Sequence, residues 1–313
     1  MTFNHRALEG IVSATPTPLR ADGTLDQAMV AMLAEHVVQG GATAIAPNGG
    51  TGEYTALTPA QRREMLEATV ASVAGRIPVI AGVLSPGIGE ALEATRDAVS
   101  AGADMIMLVT PYYARPTPQG VVDYYKAVAD VTDLPLMLYE IPYRTGIQLD
   151  ADTVMRLVEE AGVVAMKTCS HDLAYQMRVM AAIGDRATIL TGEENVFPAH
   201  VAIGAKGGFL ASSLLFPKAW QYLYRLCASG QMAEAATFHR RLMPYVTMLY
   251  REHNPTALRA ALALCDMPHG DCLPPLRPAS AETIAMLTTE LPAALRLEAE
   301  AAQLLEATAI NET

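Results

Sequence analysis

Lysine is scarce in this chain. Of 22 basic residues in 313 positions only four are lysines (Lys126, Lys167, Lys206 and Lys218), and arginine carries most of the positive charge. No apolar run approaches the ~20 residues needed to cross a bilayer. The opening MTFNHRALEG also lacks the apolar stretch of a secretory signal. No basic stripe interrupts a net charge of −11, which argues against nucleic acid or an anionic membrane surface as partner. The four cysteines (Cys169, Cys227, Cys265, Cys272) show no close paired spacing and read as reduced thiols, not a disulfide framework. Cys265, His269 and Cys272 have a metal-like spacing, but Pro268 and Gly270 interrupt it. The expectation is a soluble cytoplasmic protein without a metal.

What is abundant is alternation. Up to about residue 230, short apolar runs take turns with longer amphipathic ones. GIVSAT (10–15), ATAIAP (42–47), IPVIAGV (77–83), DMIMLVTPYY (104–113), LPLMLYE (134–140), VVAMK (163–167), TILTG (188–192) and GGFLAS (207–212) read as strands. Between them lie helical patterns. One opens at Thr58, Pro59 and Gln61, a cap, a first-turn proline and a capping-box partner. Leu92, Thr95 and Val99 are expected to face inward on one helix, and Leu173, Met177 and Met180 on another. Eight such units suit a (β/α)8 TIM barrel, whose usual length is roughly 250 residues. A doubly wound open sheet competes, but no G-x-G-x-x-G follows the first strand. Beyond residue 230 strand signals stop, and three helical segments follow. We expect a barrel over residues 1–230 and a helical appendage over 231–313.

In such barrels the active site lies at the carboxyl ends of the strands. Strand two ends in Gly49, Gly50, Thr51, Gly52 and Glu53, which can present backbone N–H groups to an anion or can simply be a tight turn. Strand four ends at Tyr112 and Tyr113. Strand five ends at Tyr139, just before IPYRTG with Arg144. Strand six ends at Lys167, the one lysine that closes a wholly apolar strand. Burial there lowers an ammonium's pKa, and a desolvated lysine is the usual nucleophile for Schiff-base chemistry. The plainer reading is a strand-end lysine reaching solvent. Glu53 and Glu140 read as the only nearby carboxylates. Histidine is absent from the strand ends apart from His171, so the ligands of a metal-dependent aldolase or hydrolase are missing.

GGTGE (49–53), TPYYARP (110–116), LYEIPYRTG (138–146), MKT (166–168) and LTGEE (190–194), in this order and spacing, resemble the dihydrodipicolinate synthase and N-acetylneuraminate lyase family. The resemblance covers nearly the whole barrel, and the helical tail suits the family. It implies a class I Schiff-base lyase needing no cofactor, usually a homotetramer built as a dimer of dimers. It implies that Lys167 condenses with pyruvate or another 2-oxo acid, and that Tyr139 is the general acid/base. Thr51 and the backbone of Gly50 would hold the substrate carboxylate, and Arg144 a second carboxylate at the entrance. Tyr113 would reach into a partner subunit's site, and Gly192 and the Phe209 backbone would line the pocket.

Two positions depart from the synthases. They carry threonine where this chain has Gly50, and the hydroxyl links two tyrosines in a proton relay. Gly50 is instead shared with the family's deoxy-oxo-glucarate dehydratases. Glu140 stands where the synthases usually have asparagine, and a carboxylate beside the site would repel acidic substrates or act as an extra base. KTCSHDL after Lys167 is closer to the sialic acid lyases. The expected function is therefore an aldol-type lyase resembling dihydrodipicolinate synthase. A 2-keto-3-deoxy-sugar-acid aldolase or dehydratase, or a non-catalytic 2-oxo-acid-binding paralogue, stands as the alternative.

Overall fold

The computed structural model describes residue 4 and residues 8–311, with side chains to residue 307. Eight short parallel strands form its centre: β1 (Gly10–Ala14), β2 (Ala44–Ala46), β3 (Ile80–Val83), β4 (Met105–Val109), β5 (Leu136–Glu140), β6 (Val163–Thr168), β7 (Thr188–Thr191) and β8 (Gly207–Leu210). They run in the order β2-β1-β8-β7-β6-β5-β4-β3. A parallel bridge between Ile45 and Val79 joins the two ends, with the Ile45 N–H donating to the Pro78 carbonyl at 3.0 Å. The sheet is thus closed, as a (β/α)8 barrel requires.

The strands are buried on both faces, which is why they read as continuous apolar runs and not as alternation. Helices α1 (Gln27–Gly40), α2 (Pro59–Val73), α3 (Ile88–Ala101) and α4 (Pro118–Ala129) follow β1 to β4. The capping box at α2 is formed on both sides: the Gln61 N–H donates to Thr58 Oγ1 at 3.2 Å and the Thr58 N–H to Gln61 Oε1 at 2.9 Å. A single turn, α5 (Pro142–Thr145), precedes α6 (Ala151–Ala161); α7 (Leu173–Ile183), α8 (Phe197–Ala202) and α9 (Pro217–Ala228) complete the ring.

Two helix faces differ from expectation. On α7 the buried residues are Tyr175, Gln176, Val179 and Ile183, while Leu173 and Met177 are exposed, the latter 58%. On α3 the inward residues are Ala91, Thr95 and Ala98, with Val99 exposed. On α3 the inward side chains are small, whereas on α7 Tyr175, Val179 and Ile183 are as bulky as the residues left outside, and the buried stripe is rotated around the helix.

The chain ends in α10 (Met232–Met248), α11 (Thr256–Leu264) and α12 (Ala281–Asn311). Glu298 of α12 accepts from the backbone N–H groups of Lys218 and Ala219, 2.8 Å each, and so caps the first turn of α9. Leu242, Val246, Leu258, Leu287 and Leu291 of these helices belong to the same continuous apolar cluster as the barrel core. No described helix is long and apolar enough to cross a membrane.

Candidate active site

Parallel registry sets the geometry. Tyr139 of β5 pairs with Lys167 of β6, and Val109 of β4 pairs with Tyr139, so these side chains share one face of the wall. That face opens on a cavity of about 490 Å³ at the carboxyl ends of the strands, lined by Lys167, Tyr139, Gly50, Thr51, Arg144, Gly192 and Phe209. Lys167 is only 8% exposed. Its Nζ lies 4.3 Å from the centre of the Tyr139 ring and 4.2 Å from that of Phe209. Burial pulls its pKa below the ordinary lysine value, opposed in part by Cys169, Glu194 and Glu193 and assisted by Arg144. Phe209 therefore meets the amine with its ring, where the sequence pointed only to its backbone.

Burial acts on Tyr139 in the opposite sense. Its phenol titrates well above the ordinary tyrosine value, chiefly by desolvation, with Cys169 and Tyr143 adding to the shift and Arg144 opposing it. The hydroxyl thus stays protonated, in the form that can donate. A side-chain carbon placed on Gly50 would sit 4.0 Å from both the Tyr139 hydroxyl and Arg144 Nη1. The glycine turn after β2 thus faces these two groups across open space. Arg144 stands in α5, anchored by Pro142 at its first turn and by Gly146, in the left-handed region, at its end.

Gly192 has a steric reason to be glycine. A Cβ there would lie 3.0 Å from Lys167 Cε and collide with Cys169 Sγ. Gly192→Ala is expected to displace the lysine stem and slow amine capture by roughly 10- to 100-fold. Gly87→Ala, where a Cβ meets nothing within 4 Å, should leave it unchanged. Rates of borohydride inactivation with a 2-oxo acid check both.

The carboxylates are arranged otherwise than the sequence reading had them. Glu140 pairs in register with Thr168 on the outer face of the wall and does not line the cavity. It neither repels a substrate nor serves as a base there, because strand alternation turns residue 140 away when residue 139 faces in. It is fully buried, and neither carboxyl oxygen has a partner of hydrogen-bonding geometry. Desolvation pushes its pKa up to about 8, eased only by the Leu149 backbone N–H. A carboxyl raised in the folded state favours folding less as pH climbs from its unfolded value toward 8. Glu140→Gln should remove this slope, so urea midpoints of the variant gain on those of wild type between pH 5 and pH 8.5.

Glu53 is also structural. It is buried, and its Oε2 accepts from Arg259 Nη2 of α11 at 3.4 Å and from the Leu273 N–H at 3.1 Å. The carboxylates that do line the cavity are Glu252, from the loop after α10, and Glu193 and Glu194, from the rim after β7. Glu193 meets His171 Nε2 at 2.9 Å, and burial raises its pKa against the charges of His171 and Lys167 and the Tyr143 hydroxyl. Glu194 Oε1 accepts from Ser212 Oγ at 2.8 Å and from the Tyr250 hydroxyl at 2.7 Å. The signal of Glu193 and Glu194 was in plain view: they are the last two letters of LTGEE.

Tyr113 is not brought into this cavity. It is 94% exposed, with φ 72°, and projects away from its own barrel. Tyr112 is tied to the wall, its hydroxyl donating to the Leu84 carbonyl at 3.1 Å. Tyr143 stands in the mouth, 64% exposed yet close enough to Glu193 to influence it. The far wall comes from α10 and the loop after it, including Val246, Tyr250, His253 and Asn254. Sequence periodicity assigns those residues to helices but says nothing of which strand ends they cover. Among the described residues no three His, Cys, Asp or Glu side chains group as a metal would require.

Known proteins share this fold. Residues 7–294 match the dihydrodipicolinate synthetase family. A 4-hydroxy-tetrahydrodipicolinate synthase of Halalkalibacterium halodurans is 34% identical over 272 residues, 87% of this chain and 92% of the relative. The solved 4-hydroxy-tetrahydrodipicolinate synthase of the methanotroph Methylacidiphilum fumariolicum SolV superposes with TM-score 0.89 at 31% identity, covering 95% of this chain and 99% of that one. A structure described as the first monomeric dihydrodipicolinate synthase variant gives 0.87 at 28%, covering 92% and 97%. A closed parallel barrel with its one buried lysine at a strand end, matched along almost its whole length, thus belongs to the dihydrodipicolinate synthetase family and is a class I, Schiff-base lyase.

Proposed function

We propose that Lys167 condenses with the carbonyl carbon of pyruvate or a closely related 2-oxo acid, and that the enzyme then makes or breaks the bond at the adjacent carbon. The observation that carries this is the Lys167 amine held between the Tyr139 and Phe209 rings, where burial favours the neutral nucleophile. The amine adds to the carbonyl. The resulting carbinol hydroxyl takes a proton from Tyr139 and leaves as water, giving a protonated imine. That imine draws the electrons of a neighbouring C–H bond as the proton departs, and the enamine carbon attacks an aldehyde. Cleavage is the same sequence reversed.

Thr51 and the Gly50 backbone bind the 2-oxo acid's carboxylate, and Gly192 and Phe209 shape the wall. Arg144, exposed at the mouth, takes a second carboxylate. The relatives' name makes aspartate semialdehyde the first acceptor to test. A dehydratase or aldolase acting on 2-keto-3-deoxy sugar acids is the second reading. Gly50 favours it, leaving room for a substrate hydroxyl where the synthases place a threonine side chain. Tyr113 serves a neighbouring subunit in a homo-oligomer, a dimer of dimers; its exposure and outward backbone support this. Four free thiols and the absence of a membrane-spanning helix among the described residues support a cytoplasmic setting.

Turnover assays with pyruvate and aspartate semialdehyde, with sialic acid, and with deoxy-oxo sugar acids separate synthase, lyase and dehydratase. Trapping without turnover of any of them would leave only a 2-oxo-acid-binding protein. Arg144→Ala is expected to raise the half-saturating concentration of an acidic second substrate by about 10- to 100-fold, the worth of a charged hydrogen-bond pair. Half-saturation by pyruvate in borohydride trapping should barely move, and steady-state kinetics beside the trapping assay check the split.

A further inference from the structure

Asn254 enters the site from outside the barrel. It lies in the loop between α10 and α11, lines the cavity, and donates from Nδ2 to the Thr51 hydroxyl oxygen at 3.0 Å. Its Oδ1 is buried without a partner. A threonine oxygen can accept on its lone pairs and has one proton to give. Because Asn254 is the donor in this contact, the Thr51 proton is not consumed by it. The opposite amide orientation would use up that proton. It would also leave a buried N–H pair without acceptors, and orphaned N–H groups are rarer in folded proteins than under-satisfied carbonyl oxygens. Thr51 is itself buried, at the rim that carries Gly50 opposite Tyr139 and Arg144.

We propose that Asn254 is a positioning residue: by donating to Thr51 it turns that hydroxyl's proton into the cavity, toward the carboxylate of the 2-oxo acid. The inference rests on the reading of Thr51 as a carboxylate-binding group given above. It also assigns the C-terminal helices a function. They hold from outside the orientation of a hydroxyl that the barrel turn alone leaves free to rotate.

The test is a cycle of two shape-conserving variants, read by borohydride inactivation at graded pyruvate concentrations. Asn254→Asp has no donor and takes the Thr51 proton as an acceptor. Thr51→Val has no proton to direct. Each alone should raise half-saturating pyruvate by about 10- to 100-fold with little change in the rate at saturation. The double variant should lie within about 3-fold of Thr51→Val alone, because the aspartate then has nothing to turn. If Asn254→Asp costs as much in the valine background as in wild type, it acts by charge or by disturbing the fold, and the proposal is overturned. An Asn254→Asp enzyme that saturates like wild type overturns it too. A Thr51→Val enzyme with unchanged half-saturation removes Thr51 from carboxylate binding, a failure of the underlying reading that is visible whatever Asn254→Asp does.

Discussion

Lys167→Arg should end reductive trapping altogether and lower turnover by roughly 10⁴- to 10⁶-fold, the scale on which enzymes lose rate with their covalent nucleophile. The substitution keeps a long basic side chain on the same strand, so the charge near Glu193 and Glu194 is retained. What it removes is a nitrogen that can shed its proton, since a guanidinium stays charged across the whole working range of pH. Lys167 differs from the other three lysines in this respect. Lys218 donates to the Gly40 carbonyl at 3.0 Å, and Lys126 and Lys206 lie half in solvent, each 4.0 Å from a glutamate. None of the three is set between aromatic rings at the cavity. Lys126→Arg, made in parallel, should trap and turn over normally.

Tyr139→Phe should slow turnover by about 10²- to 10⁴-fold, the usual worth of a placed general acid/base. It should slow trapping without abolishing it. The ring remains in contact with the Lys167 amine, so the desolvation that frees the nucleophile persists, and only the proton donor is lost. Stopped mixing with pyruvate followed by a borohydride quench measures imine formation directly. A phenylalanine variant that forms imine at the wild-type rate would remove the phenol from this step. Because Gly50 contributes no hydroxyl, Tyr139 has no side-chain relay from residue 50 to recharge it. A bound water or the substrate's own hydroxyl must do so, and the variant's dependence on the acceptor chosen would expose which.

The order of the elements was legible because a buried parallel strand and a helix leave different marks: a short apolar run, against a repeat of three and four. The rim position of Lys167 and Tyr139 followed from the same marks, since a barrel exposes only the carboxyl end of each strand to chemistry. Side-chain direction was harder. Glu140 looked like a site residue because it is next to one, yet neighbours on a strand face opposite ways, and it ends up buried behind the wall. Glu193 and Glu194 lie beyond the last residue of β7, where alternation no longer applies, and both turn into the cavity. The exposed Leu173 and Met177 show that an apolar stripe identifies a helix more surely than its inward face. Tyr250, His253 and Asn254 were out of reach for another reason. Tyr250 meets Glu194 and Asn254 meets Thr51 across 56 and 203 positions of the chain, His253 lines the same cavity, and only tertiary packing brings such residues together.

Peptide mapping of the protein after borohydride reduction in the presence of pyruvate tests the central claim most directly. The account predicts one reduced adduct, on the peptide that carries Lys167, and none after Lys167→Arg. An adduct on Lys126, Lys206 or Lys218 in its place, or no adduct with any 2-oxo acid in a broad panel, would contradict it.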